Sequence, residues 1–105
     1  MAKITWTSEA NNLLKKIYDF IAEDSPKAAT NVVNGIYKKS QILKINPHIG
    51  YIYEHESSEE IRILLYGHYR ITYLIKSDKE VIILGVFHGA LLIEHYIKLQ
   101  PVAGD

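Results

Sequence analysis

The stretch Val81-Ile82-Ile83-Leu84-Gly85-Val86-Phe87 constrains this chain more than any other. A strand with one wet face alternates apolar and polar residues. Here only Gly85 interrupts an apolar run, so the strand must be covered on both faces or lie at the centre of a sheet. The run falls well short of the ~18 apolar residues that a membrane span requires, and no longer run exists elsewhere, so no membrane association is expected. Other segments supply neighbours for this strand. Lys3 to Trp6, Tyr51 to Tyr53, Ile61 to Tyr66 and Tyr69 to Lys76 are rich in β-branched and aromatic residues. Gly67-His68 is suited to a tight hairpin turn, and Ser77-Asp78-Lys79 forms a second polar turn.

Between the first strand and the others lie two helical periodicities. Ala10, Leu13, Leu14, Ile17, Phe20 and Ile21 fall at steps of three and four after a capping Thr7 or Ser8, predicting a helix to about Asp24. Ser25-Pro26 then restarts helix, since proline at the first helical position loses no hydrogen bond. Ala29, Val32, Val33, Ile36 and Leu43 make one face of a second helix that ends near Asn46-Pro47. With almost no linker, the pair should fold back as a hairpin. The expected fold is α+β: an N-terminal strand, a helical hairpin packed on one face, then an antiparallel sheet whose other face is partly open. Residues 1–100 read as one domain, with a short helix over Leu91 to Leu99 carrying Leu92 and Tyr96, and residues 101–105 as a tail.

Composition narrows the function. At 105 residues the chain is one domain, and 48% hydrophobic residues suffice for a core. Twelve basic and twelve acidic residues cancel. A protein docking mainly on phosphates usually carries a basic excess, so neutrality weighs against nucleic acid as the main surface. The absence of cysteine excludes disulfides, thiolate metal sites and cysteine nucleophiles, and suits the cytoplasm. The segment Met1 to Trp6 has no secretory signature. His48, His55, His68, His88 and His95 lack the spacing of metal ligands, and no glycine-rich phosphate loop follows a strand, so neither metal nor cofactor is expected. Glu54, Glu56, Glu59 and Glu60 read as a solvated acidic loop.

The order and spacing of several segments resemble the ParE/RelE superfamily of type II toxin–antitoxin toxins over about residues 3–97. These are Ile4-Thr5-Trp6, the run from Ile17 through Ser25-Pro26 to Ala29, Leu43 to Pro47 with Gly50, Glu60-Ile61-Arg62, Tyr69-Arg70-Ile71-Thr72-Tyr73, and Ile83 to Gly89. The full-length helical hairpin is closer to the ParE branch. The resemblance implies a cytoplasmic, plasmid-stabilising type toxin silenced by a co-expressed cognate antitoxin, in a homodimer or a toxin–antitoxin hetero-oligomer. In the ParE branch the target is DNA gyrase, trapped on cleaved DNA. The alternative, in the RelE branch, is ribosome-dependent cleavage of messenger RNA.

Within that resemblance, Arg70 matches the arginine that the RNA-cutting branch uses at its active site; its bland reading is a surface arginine in a cross-strand ion pair. If the turn centres on Asp78, Val86 lies opposite Arg70 and His88 lies diagonal to it on the same face. A histidine there can serve as general acid or base, or simply end a strand. Tyr96 falls where some members carry a catalytic tyrosine, or serves packing. Arg62 is expected on the opposite face from Arg70, paired with a helix carboxylate such as Glu9, Asp19 or Glu23. Two departures count against a ribonuclease. Gly89, Ala90 and Leu91 stand where the family often has arginine, and Ile61, Ile63 and Leu65 replace basic residues on the third strand. Those isoleucines and Leu65, with Leu92, instead suggest an apolar surface for the target or the antitoxin, to which Arg62 is also assigned.

Overall fold

Thr7 and Ser25 fix where the two helices begin. The Thr7 hydroxyl accepts from the Ala10 amide at 3.0 Å and opens α1 (Ser8–Ala22). The Ser25 hydroxyl accepts from the Ala28 amide at 3.1 Å and opens α2 (Pro26–Ser40), with Pro26 in the first turn. Each bond satisfies an amide that has no partner inside the helix. The computed structural model describes residues 1–89, so the expected terminal helix with Leu92 and Tyr96, and the tail, lie outside the described residues. No helix among the described residues is long and apolar enough to cross a membrane.

The helices follow β1 (Lys3–Trp6) and precede β2 (Tyr51–Ile52), β3 (Glu60–Tyr66), β4 (Tyr69–Ser77) and β5 (Glu80–His88). The second helix ends earlier than its apolar stripe suggests: α2 stops at Ser40 and continues as a 3-10 turn over Gln41–Lys44. The Ser40 hydroxyl donates to Tyr37 O at 2.6 Å, and the tighter turn carries Leu43 into the core, where it is fully buried.

The sheet order is β1-β5-β4-β3-β2. Strands β2 to β5 form the antiparallel meander, and β1 adds a parallel edge to β5 from Lys3↔Glu80 to Trp6↔Ile83. Beyond Trp6 the chain leaves the sheet and α1 packs against β5. Helix residues Ile36, Leu14, Ile17 and Val32 pack with Leu64, Ile71, Tyr73, Val81, Ile83 and Val86 on one face. The other face gathers Ile61, Ile63, Leu74, Ile82, Leu84 and Phe87, with Leu13 and Tyr53 against them. Every residue from Val81 to Phe87 is buried, as a strand apolar on both faces requires.

A polar clasp pins the crossing from the 3-10 turn to β2. The buried Tyr73 hydroxyl donates to Pro47 O at 2.6 Å and accepts from the Gly50 amide at 3.0 Å. A side chain at position 50 would meet this hydroxyl and Ile63 O at 2.6 and 2.7 Å, so glycine alone fits. Arg62 lies across from Tyr73 on β3 and donates to Gly50 O at 2.7 Å, to His48 O at 3.0 Å and to the Glu60 carboxylate at 2.7 Å. Burial raises the Tyr73 pKa above the ordinary 10.0, outweighing the Gly50 amide and the Arg62 charge, which lower it. Tyr73→Phe should cost about 1–3 kcal/mol, because a buried amide and carbonyl lose their partner. Urea denaturation measures this, and unchanged stability would contradict the clasp. Since the folded pKa is raised, the linked stability is fully present below pH about 10 and falls as pH rises through the folded value. The phenylalanine variant should lack that alkaline loss.

Candidate functional site

Arg70 and His88 do not meet. After an irregularity beside the turn, where Ser77 lies opposite Glu80, the register is the expected one: Ile75↔Val81, Leu74↔Ile82 and Tyr73↔Ile83. It then slips, with Thr72 opposite Gly85, so that Leu84 is an extra residue on β5. A one-residue bulge moves every later side chain to the other face. His88 therefore pairs with Tyr69, not diagonally with Arg70, and Arg70 pairs with Phe87 on one side and Leu65 on the other. The alternation places Arg70 on the face of Phe87 and Leu65. His88 lies on the face of Tyr69 and Val86, beside α1. Its ring stands edge-on to Tyr69 at 5.6 Å and tilted to His68 at 6.0 Å. The expected acid–base pairing of Arg70 with His88 is thus corrected by a bulge that no residue spacing announces. Arg70 is partly exposed and makes no ion pair among the described residues, so its cross-strand pairing is corrected too.

Arg62 lies on the helix-side face, opposite Arg70, as the two-residue turn requires. That turn places Tyr66 opposite Tyr69, and Gly67 alone has positive φ, at 58°, which suits a type II′ hairpin. The partner of Arg62 is Glu60, its neighbour two positions back on the same strand face, rather than Glu9, Asp19 or Glu23. The apolar surface expected on β3 is also different. Ile61 and Ile63 are buried, and only Leu65, 52% exposed, remains open. Both isoleucines belong to the apolar cluster of the second sheet face, with Leu74, Ile82, Leu84 and Phe87.

The open apolar site lies instead beside α1. Leu13, Lys16, Ile17, Phe20 and Ile21 from the helix, with Tyr69, Val86 and His88 from the sheet, line a groove of about 380 Å³. The gap forms where β1 ends at Trp6 and α1 spans the rest of β5. Phe20, which the periodicity assigns to the core, is 76% exposed at its rim. The signal was present in the sequence: the stripe from Leu13 to Ile21 is wider than one packed seam needs. Lys16 and His88 supply the polar groups of an otherwise apolar trough. Such a surface suits an apolar side of a partner helix or strand.

The chain matches the family model of the ParE toxin of type II toxin–antitoxin system, parDE, over residues 4–92. It belongs to the ParE toxin family and is the toxin component of a type II toxin–antitoxin system. Among solved structures it is similar to a chain described as the chromosomal ParDE TA system from P. aeruginosa, at 24% identity and a TM-score of 0.69. That match covers 84% of this chain and 96% of the other, and it shows the same strand, helical hairpin and sheet fold. No curated protein matches significantly.

The bulge has a direct spectroscopic consequence. Proton NOEs should connect the His88 ring with the Tyr69 ring and with α1 side chains, and none should reach Arg70. A strong contact between His88 and Arg70 would contradict the observed register.

Proposed function

We propose that this toxin acts by binding, inhibiting DNA gyrase in the ParE manner, and that a cognate antitoxin silences it by filling the groove beside α1. The separation of Arg70 and His88 by the sheet is the observation that carries this reading. Ribonuclease chemistry on a ribose hydroxyl needs an acid or base within hydrogen-bond reach of a charge-stabilising group, and this pair cannot supply it. The zero net charge supports the same reading, since ribosome-bound message would favour a basic surface. The groove supports the antitoxin part. Each aliphatic or aromatic side chain covered there contributes roughly 1.5–3 kcal/mol before ordering costs, enough for an antitoxin segment that folds on binding. Contacts of this kind depend only weakly on salt.

Purified toxin added to gyrase and plasmid should block supercoiling and accumulate cleaved DNA, while ribosome-bound messages stay intact. Cleaved transcripts with unaffected supercoiling would reverse the assignment. Phe20→Ser should weaken binding of the antitoxin encoded beside the toxin by at least about tenfold in titration calorimetry, as for an exposed aromatic anchor. Unchanged affinity would move the antitoxin away from this groove.

A further inference from the structure

We propose that the segment seated in the groove beside α1 carries a carboxylate, held between Lys16 and His88, and that this charge decides which antitoxin the toxin accepts. The inference rests on the reading that an antitoxin fills this groove. Six of its lining residues, Leu13, Ile17, Phe20, Ile21, Tyr69 and Val86, are apolar or aromatic, and the other two are Lys16 and His88. No carboxylate lines it. Lys16 comes from the helical wall and His88 from the sheet wall. A group lying along the trough therefore meets an ammonium on one side and an imidazole on the other.

The helix leaves Lys16 without a counter-charge. Its neighbour Lys15 holds the Asp19 carboxylate at 2.7 Å, one turn along. One turn beyond Lys16 stands Phe20 instead, exposed at the rim of the groove. Lys16 makes no ion pair or hydrogen bond among the described residues. The His88 ring touches Tyr69 and His68 and makes no hydrogen bond among the described residues. Apolar side chains alone, laid over this trough, would take water from an ammonium and an imidazole and return nothing. One aspartate or glutamate set among apolar anchors replaces that water. The Lys16 ammonium donates to it from one wall and an imidazole N–H of His88 from the other. Apolar walls strengthen the attraction, and a segment that lacks the carboxylate is penalised, so an otherwise unselective groove acquires a preference. The requirement is local, and the zero net charge of the chain does not oppose it.

Titration calorimetry of the full chain with the antitoxin encoded beside it tests this, with circular dichroism confirming that each variant folds. Lys16→Glu should weaken binding at least about tenfold, because it sets like charges together. His88→Leu, which keeps apolar bulk and removes the ring N–H, should weaken it about fivefold. Lys15→Glu, at a position outside the groove, should change affinity less than about twofold. Raising NaCl from about 0.05 to 0.5 M should cost the unaltered complex about threefold and leave the Lys16→Gln complex unchanged. Reversing the charge of one antitoxin carboxylate should restore affinity for the Lys16→Glu toxin. If Phe20→Ser weakens the complex while Lys16→Glu or His88→Leu binds as the unaltered toxin does, the antitoxin lies in the groove and the carboxylate proposal is wrong. If Lys15→Glu costs as much as Lys16→Glu, overall charge is at work and the proposal fails. If neither Phe20→Ser nor Lys16→Glu alters affinity, the antitoxin binds elsewhere and both readings fall.

Discussion

The fold depends on covering both faces of β5. No side chain from Val81 to Phe87 tolerates water, so the strand needs a neighbour on each edge and a layer against each face. The edges are met by β4 and, for the first half only, by β1. One face is met by the helical hairpin, whose Ile17, Val32 and Ile36 reach Ile71, Ile83 and Val86. Among the described residues β1 ends at Trp6, and beyond it α1 packs against β5 without filling the space at its edge. The groove beside α1 is the remainder of that mismatch. This apolar groove is thus a by-product of how the central strand is buried.

A single inserted residue decides what chemistry the sheet can present. With Leu84 as an extra residue, Arg70 and His88 look in opposite directions, although their distance along the strands is short. Register, rather than residue identity, separates a binding surface from an acid–base site here. The polar clasp of Tyr73, Arg62 and Glu60 plays a comparable part at the other edge. It converts residues 47–50 from a loop into a fixed support for β2, and so determines how that edge faces solvent.

Much of this was legible in the sequence, for physical reasons. Helix starts are local events, and Thr7, Ser25 and Pro26 mark them by chemistry that acts within one turn. The turn at Gly67-His68 and the burial of β5 were equally readable, since both follow from residue type. The opposite facing of Arg62 and Arg70 followed from the turn length alone. What escaped was non-local. A bulge depends on how two strands settle against the layers beneath, so the face of His88 could not be counted off from Asp78. The burial of Ile61 and Ile63 goes with a cluster drawn from β3, β4 and β5 together, and the helical spacing of Phe20 suggests core where the structure leaves it exposed. The helices offer carboxylates for Arg62 in Glu9, Asp19 and Glu23, but strand alternation places Glu60 beside it.

The central claim is that toxicity rests on a surface and not on an Arg70–His88 pair. The double substitution Arg70→Ala and His88→Ala, expressed without antitoxin from a controlled promoter, tests it most directly, with soluble protein level and circular dichroism checked in parallel. The account predicts growth arrest as strong as that of the unaltered toxin. Normal growth with folded, abundant double variant would contradict it and return the two residues to a catalytic site.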